Sequence, residues 1–420
     1  MSNHFDIIIV GGGMVGASLA HALKGLPLKI GIIEAHPLDH DHPSYDSRAI
    51  ALSHGSYKIL KQIGCWQAIA EMGSTPIETI KISDRGHIGG AVLNAVDEGV
   101  DALGYVVEAA VIGKALKLES SDNLTLFSPA TVLAMTVHPE RDELTITHNG
   151  SEQSLTAKLV VAADGSPSTI GQILGEKRVT RSYGQTAIIS TIISRPPHQN
   201  TAYERFTDSG PLAMLPNTAP DGWPDQQYDS QRWSLVWSAR DDQVDEIMAL
   251  DERQFLDALE LRLGRRIAPL LSASKRIAYP LRIDYLRDHI RHRVAFIGNA
   301  AHAIHPVAGQ GFNLGLRDVA FLAETIANAL NDGRDFGTQE HLNYYSEQRK
   351  PDYLKIIGST DMLVQTFSNN LSPLIALRNL GLATLERLPP LRHLLAQQMM
   401  GTTGKQSQLA SGIPLAGSHQ

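Results

Sequence analysis

Cysteine is almost missing from this sequence, which holds Cys65 as its single thiol in 420 residues. One cysteine excludes an intrachain disulfide and a cysteine-based metal cage, and such scarcity is typical of a reducing compartment. Long apolar runs are missing as well, because no stretch reaches the roughly 20 residues that a membrane-spanning helix needs. We therefore expect a cytoplasmic protein, and attachment to the surface of the inner membrane stays open.

Clustered positive charge is also missing. The formal net charge is −7, and no long run of Lys and Arg occurs. Nucleic-acid backbones are bound by clustered cations, so we expect no nucleic-acid partner. Hydrophobic residues make up 43% of the chain, which is enough to bury a core, and the length predicts two domains with an appendage.

The N-terminus carries the first pattern with chemical meaning. An apolar run at Phe5–Val10 predicts a buried strand, a helix is expected through Ala17–Leu23, and Leu28–Glu34 predicts a second strand. A strand, a helix and a second strand in this order predict a parallel sheet with a right-handed crossover.

The turn between this first strand and the helix reads Gly11-x-Gly13-x-x-Gly16. Gly11 permits a tight turn, Gly13 lets the backbone approach a pyrophosphate, and Gly16 lets the helix pack on the strand. Glu34 ends the second strand, where its carboxylate can accept hydrogen bonds from ribose hydroxyls and repels a 2′-phosphate. The pattern predicts a site for FAD or NAD.

Two later motifs bear on the choice between FAD and NAD. Val160–Ala163 predicts a strand that ends in Asp164-Gly165, which alone also fits an ordinary β-turn. The segment Gly298–Gly315 reads GNAAHAIHPVAGQGFNLG and is far more specific. Its small residues, Gly309 and Gly311 among them, let a helix begin against a flat ring. The N–H groups of Phe312 and Asn313 would then stabilise negative charge on a reduced flavin.

Together these motifs resemble the single-component aromatic hydroxylases of the p-hydroxybenzoate hydroxylase fold, over nearly the whole chain. Segments at 42–52, 83–87, 204–216 and 357–361 resemble the ubiquinone-biosynthesis branch of that family. The resemblance implies an α/β fold: a Rossmann-like FAD-binding domain, an inserted β-sheet substrate domain and C-terminal helices. The FAD-binding domain would span 1–73, 101–176 and 272–330. The substrate domain would span 74–100 and 177–271, followed by helices at 331–400 and a flexible tail at 401–420.

The resemblance also implies site residues. Cofactor contacts would come from Arg48, Glu108, Val132, Asp164 and Asn299. Asn299 stands where the family usually has Asp, so its hydrogen bond is kept without the charge. Pro306 would border the space in which oxygen transfer occurs. Phe206 and Met214 would lie on the inserted sheet and face the substrate ring, although plain sheet core also explains both residues.

The activity implied by the resemblance is a monooxygenase reaction. NAD(P)H would reduce FAD, O2 would form a flavin C4a-hydroperoxide, and oxygen would enter a 2-polyprenyl-6-methoxyphenol para to its hydroxyl. Another ring-hydroxylation step, a flavin-dependent reductase and a non-catalytic FAD-binding scaffold remain alternatives. Partners would be the prenylated phenol, O2, a membrane surface or lipid carrier, and other enzymes of the pathway, and a homo-oligomer stays open.

Two pairs of histidines have a spacing that metal sites also use. His302 and His305 are three residues apart, and His40 and His42 flank an aspartate. No third ligand lies near His302 and His305 in the sequence, so we expect a flavin loop there and no metal. The segment His40-Asp41-His42 sits in a polar loop, and we expect it to be solvated.

Overall fold

The computed structural model describes residues 3–38, 48–86, 90–219, 226–264, 266–303, 310–367, 384–385 and 387–415. The strands are β1 (His4–Val10), β2 (Ile30–Ile33), β3 (Ala49–Ser53), β4 (Thr75–Ile77), β5 (Thr79–Asp84), β6 (Gly90–Asn94), β7 (Gly104–Glu108), β8 (Leu124–Phe127), β9 (Ala130–Thr136), β10 (Asp142–His148), β11 (Ser151–Ala162), β12 (Arg178–Ser194), β13 (Thr201–Thr207), β14 (Gly210–Pro216), β15 (Arg232–Arg240), β16 (Leu270–Ala273), β17 (Ile277–Leu286), β18 (Ile290–Arg291), β19 (Val294–Phe296) and β20 (His302–Ala303). The helices are α1 (Met14–Leu23), α2 (His54–Gln62), α3 (Trp66–Met72), α4 (Ala109–Ala115), α5 (Thr169–Ile173), α6 (Asp241–Ala249), α7 (Glu252–Leu263), α8 (Gln310–Asn331), α9 (Gln339–Phe367) and α10 (Pro389–Met399). Short 3-10 helices lie at Val96–Glu98, Gln226–Gln231, Gly298–Ala300 and Leu409–Ser411.

The first sheet has a parallel centre in which β1 lies between β2 and β11, while β8 and β19 continue it outwards. Strands β1 and β2 are apolar along most of their length because layers cover both faces. Helices α1 and α8 pack on one face, and strands β9 and β10 with α5 pack on the other. The strands and the helix expected near the N-terminus are confirmed.

The second sheet is mixed and runs in the order β20-β17-β12-β15-β14-β13-β5-β6, with β16 also paired to β12. Helices α6 and α7 cover one face, where Trp237 and Phe255 are fully buried. The opposite face lies towards a small sheet of order β3-β7-β4, since Phe206 packs with Ile77 and Val106. We call this second side the inner face.

The second sheet extends further along the chain than expected from sequence. Strand β16 crosses the boundary placed between 271 and 272, and β17 pairs with β12 from Arg178 beside Leu286 to Ile189 beside Ile277. The polar residues 274–276 connect β16 to β17 within one sheet, so residues 272–273 and 277–286 belong to the second sheet and not to the first.

The C-terminal segment is packed as far as residue 415, which corrects the expected flexible tail from 401. Leu409, Ala410 and Leu415 are buried in the same core as α1 and α8. The segment is also tied by its backbone, because the Gln408 N–H donates to Glu324 at 2.7 Å. Among the helices of the described residues, none combines the length and the apolar character needed to cross a membrane.

Candidate functional site

The glycine turn after β1 is fixed by two close backbone approaches. Gly11 has a φ of +104°, and a Cβ added there would overlap the carbonyl of Ala163 at the end of β11. A Cβ added at Gly16 would overlap the carbonyl oxygen of Gly11. Glycine is therefore required at both positions, and the turn between β1 and α1 stays narrow.

Glu34 directly follows β2 and is buried beside this turn. Its carboxylate accepts the N–H of Gly12 at 2.6 Å and the N–H of His36 at 2.9 Å. These bonds orient the carboxylate at the edge of the turn, where sequence spacing predicts a ribose contact.

Asp164 follows β11 at the opposite side of the same turn. One carboxylate oxygen, Oδ2, accepts the N–H of Thr169 at 2.6 Å and that of Ile170 at 3.3 Å, which supports the turn as expected. The other oxygen, Oδ1, is buried and has no partner among the residues described. Burial raises the pKa of Asp164. A buried acceptor without a donor is costly, so this atom marks a place where a ligand donor fits.

The N-terminal end of α8 packs directly on α1. A Cβ added at Gly315 would lie 2.9 Å from the Val15 side chain, so glycine allows this close packing. A Cβ added at Gly311 would have no atom of the described residues within 4 Å. The side chain of Asn313 fixes the helix start by accepting the Ser53 N–H and donating to the carbonyl of Ala51, both at 2.8 Å.

These elements surround one cavity of about 360 Å³. Eight of the expected cofactor residues line it: Gly11, Gly13, Glu34, Val132, Asp164, Asn299, Gly311 and Phe312. The first and last glycine motifs therefore share one cavity, although about 300 residues separate them. Gly16 and Asn313 do not line the cavity. Gly16 lets α1 approach the glycine turn, and Asn313 fixes the start of α8. Gly309 and Pro306 lie outside the described residues.

Arg48 and Glu108 do not line this cavity and instead reach the second sheet. The guanidinium of Arg48 lies over the Tyr279 ring, 5.3 Å from its centroid. Glu108 is buried and pairs with Arg232 of β15 at 3.0 Å. Burial raises the pKa of Glu108, against the opposing effect of the Arg232 guanidinium. Both residues thus join the small sheet to the inner face.

Phe206 and Met214 lie on opposite faces of the second sheet. Met214 is opposite Tyr203 and Phe206 is opposite Pro211, and facing residues of an antiparallel pair share a side. Phe206 lies on the inner face with Ile77, whereas Met214 packs with Trp237 under α6 and α7. The expectation that both face one ring is wrong for Met214, which belongs to the sheet core.

Sequence reasoning missed a buried ionic cluster behind the site, because Arg349 and Tyr353 carry no motif. Asp318 of α8 accepts the Gly298 N–H at 3.0 Å, His302 Nε2 at 2.7 Å and Arg349 Nε at 2.8 Å, and Tyr353 also donates to it. Against the effect of burial, His302 and Arg349 hold the pKa of Asp318 well below its usual range. His302 is thus bonded to a carboxylate, and His305 lies outside the described residues.

The residues of the cavity fit a dinucleotide that contains flavin. At Gly11 and Gly16 a Cβ would fill the turn, so only glycine leaves this space open. The N-terminus of α1 presents N–H groups that suit a pyrophosphate. The buried Oδ1 of Asp164, which has no partner among the described residues, suits a hydroxyl donor. Gly311 lines the cavity, and the described residues leave room there for a flat ring beside the first turn of α8.

Known proteins agree with this fit. Residues 4–358 match a family model described as an FAD binding domain. Ubiquinone hydroxylase UbiL of Rhodospirillum rubrum is 35% identical over 419 residues, covering 98% of this chain and 93% of that protein. The mitochondrial ubiquinone biosynthesis monooxygenase COQ6 of Homo sapiens is 30% identical over 439 residues, covering 93% and 91%. The crystal structure of p-nitrophenol 4-monooxygenase PnpA from Pseudomonas putida superposes with a TM-score of 0.73 at 17% identity, covering 95% and 98%.

The fold and the cavity define an FAD-dependent aromatic monooxygenase of the p-hydroxybenzoate hydroxylase type, a class that uses NAD(P)H. Within that class, the chain belongs to the hydroxylase group that contains UbiL and COQ6.

Proposed function

We propose that this enzyme hydroxylates a polyprenylated phenol in ubiquinone biosynthesis, converting a 2-polyprenyl-6-methoxyphenol into the 1,4-benzoquinol with NAD(P)H and O2. The observation that carries the proposal is the single cavity lined by both glycine motifs. The names of UbiL and COQ6 support the pathway, and the narrower resemblance of the motifs supports the step.

The proposal assigns each part of the cavity a task. The turn Gly11–Gly16 and the N-terminus of α1 bind the pyrophosphate through N–H groups and the helix dipole. Glu34 accepts from the ribose, while Asp164 and Asn299 hold the polar chain between phosphate and flavin. Bound FAD supplies two-electron storage and O2 activation. The first turn of α8, at Gly311–Asn313, stabilises negative charge at the ring edge.

The second sheet is the part that we assign to the substrate. Arg48 and Glu108 join the small sheet to the inner face through Tyr279 and Arg232, so they position the two domains around the reacting ring. Phe206 contributes apolar surface on that face. Pro306 keeps its proposed place beside the space for oxygen transfer.

A prenyl tail requires contact with a lipid phase or a carrier. Three exposed leucines on and beside α10 support contact with lipid or a carrier. Leu388 is 47% exposed, Leu391 is 39% exposed and Leu394 is 56% exposed. Their spacing of three residues places them in one apolar row. We propose a membrane surface or a lipid carrier of the pathway as the partner there.

The deciding experiment supplies the FAD-bound enzyme with a short-chain 2-prenyl-6-methoxyphenol, NADH and ¹⁸O2. We expect one labelled oxygen per ring, para to the hydroxyl, and O2 uptake that matches NADH oxidation. Labelling at another carbon would indicate a different hydroxylation step. NADH oxidation that reduces the substrate without label would indicate a reductase, and bound FAD without stimulated NADH oxidation would indicate a scaffold.

A further inference from the structure

Glu204 occupies a central position on the inner face of the second sheet. It lies in the middle of β13, opposite Ala213 of β14 and beside Ile82 of β5. Side chains alternate along a strand, so Glu204 shares its side with Ala202 and Phe206 and not with Tyr203. Its neighbours on the same side of the sheet are therefore apolar.

The inner face is the side of the sheet that approaches the cofactor region. Ala213 is opposite Val236, and Arg232 lies four residues from Val236 on the same side of β15. Arg232 pairs with Glu108 at the end of β7, next to strand β3. The start of α8 is bonded to β3 through Asn313. Glu204 is two strands away from Val236, a distance of about 10 Å.

Glu204 is an isolated acid in this position. Among the described residues it has no hydrogen-bond or ion-pair partner. Part of its surface stays accessible, although burial raises the pKa of Glu204 to about 7. Glu204 is thus a partly accessible carboxyl group among apolar neighbours on the inner face. Leaving a carboxylate there unpaired is costly, which is typical of acids kept for chemistry.

We propose that Glu204 is the catalytic base that accepts the proton of the substrate's phenolic hydroxyl, which rests on the proposed hydroxylase function. The O–H bond of the phenol breaks, the proton passes to a carboxylate oxygen of Glu204, and the electron pair stays with the ring. This charge makes the para carbon a better nucleophile. Glu204 then releases the proton to water, so no further reactant is needed.

The surrounding charged groups leave Glu204 free for this role. On the inner face, Arg232 is occupied by Glu108. Tyr105 of β7 packs against Tyr57 and Trp66. On α10, His393 pairs with Glu98 at 2.6 Å, and Lys355 of α9 donates to Thr403. Asp84 lies two residues further along β5, beside Phe206.

The test compares the wild type with Glu204→Gln, Glu204→Asp and the control Glu246→Gln, which changes an exposed acid on α6. For E204Q we expect FAD binding like the wild type, product formation lower by about 10²–10⁴-fold, and loss of the acidic limb near pH 7. E204D should restore part of the rate. Fluorinated phenols, whose hydroxyl is more acidic, should be converted by E204Q with a smaller deficit.

A second measurement does not need turnover. Infrared titration of the oxidised, FAD-bound wild type should show one carboxylic-acid carbonyl band that titrates near pH 7 and is missing in E204Q. Hydroxylation by E204Q within threefold of the wild type, or a band unchanged in E204Q, would overturn the role of Glu204. A wild type that binds FAD and shows the band but forms no hydroxylated product would refute the proposed function instead.

Discussion

Asp318 shows how one residue holds several parts of the cofactor site. Its carboxylate binds the turn at Gly298, strand β20 through His302 and helix α9 through Arg349, while Asp318 itself belongs to α8. Asn299 in this turn and Phe312 on α8 line the cavity. Because Arg349 is only 1% exposed, its charge depends on two carboxylates, Asp318 at 2.8 Å and Asp352 at 2.6 Å.

We therefore expect Asp318→Asn to lower the free energy of unfolding by about 3–5 kcal/mol, since it removes the fully buried one of the two carboxylates that pair with the Arg349 guanidinium. The measurement is urea unfolding of the FAD-bound enzyme. Asp242→Asn is the matched control, because Asp242 pairs with Arg240 where both side chains are about 60% exposed, and such pairs contribute about 0–1 kcal/mol. Equal losses in the two variants would contradict a central role for Asp318.

Among the elements of the fold, the C-terminal segment differs most from what the sequence suggested, because it is packed in the core. Its 3-10 helix at Leu409–Ser411 packs on α2 and shares the core of α1 and α8. The segment is rich in Gly, Ser and Gln, which suggested a tail, whereas a few buried apolar side chains decide its position.

Leu409→Ala should lower the free energy of unfolding by about 2–5 kcal/mol because a buried leucine leaves a cavity. Leu409 is 3% exposed, whereas Ile413 is 54% exposed. Ile413→Ala should therefore change stability by no more than about 0.5 kcal/mol. Thermal unfolding of both variants decides the matter, and an L409A protein as stable as I413A would show that the segment is not part of the core.

Local patterns predicted the elements whose residues interact along the chain. The apolar runs of β1 and β2 and the glycines between them were sufficient for the first βαβ unit. The face of the sheet on which each side chain of β13 and β14 lies was not predictable from the sequence. The short turn between Thr207 and Gly210 sets the register of this strand pair and thereby decides it. Met214 thereby lies away from Phe206. Likewise, Glu204 attracts attention only once its neighbours in three dimensions are known.

For the molecule as a whole, the central feature is the meeting of two distant segments. Val15 of α1 packs against Gly298 and Gly315, and this contact brings the N-terminal glycine turn to the start of α8. Sequence motifs predicted that both segments serve one cofactor. The packing of α8 on α1 gives the physical reason.

The most direct test of this account measures FAD affinity in variants altered at each end of the cavity. Apo-protein is titrated with FAD, and fluorescence quenching is followed for the wild type, Glu34→Ala and Gly311→Phe. Gly99→Asn is the control, because Gly99 has a φ of 68° with open space and asparagine tolerates that conformation. We expect one FAD per chain for the wild type and the control, and at least about tenfold weaker binding, or about 1.4 kcal/mol, for each cavity variant with the fold retained. Unchanged affinity in G311F would contradict a single FAD site shared by the two glycine motifs.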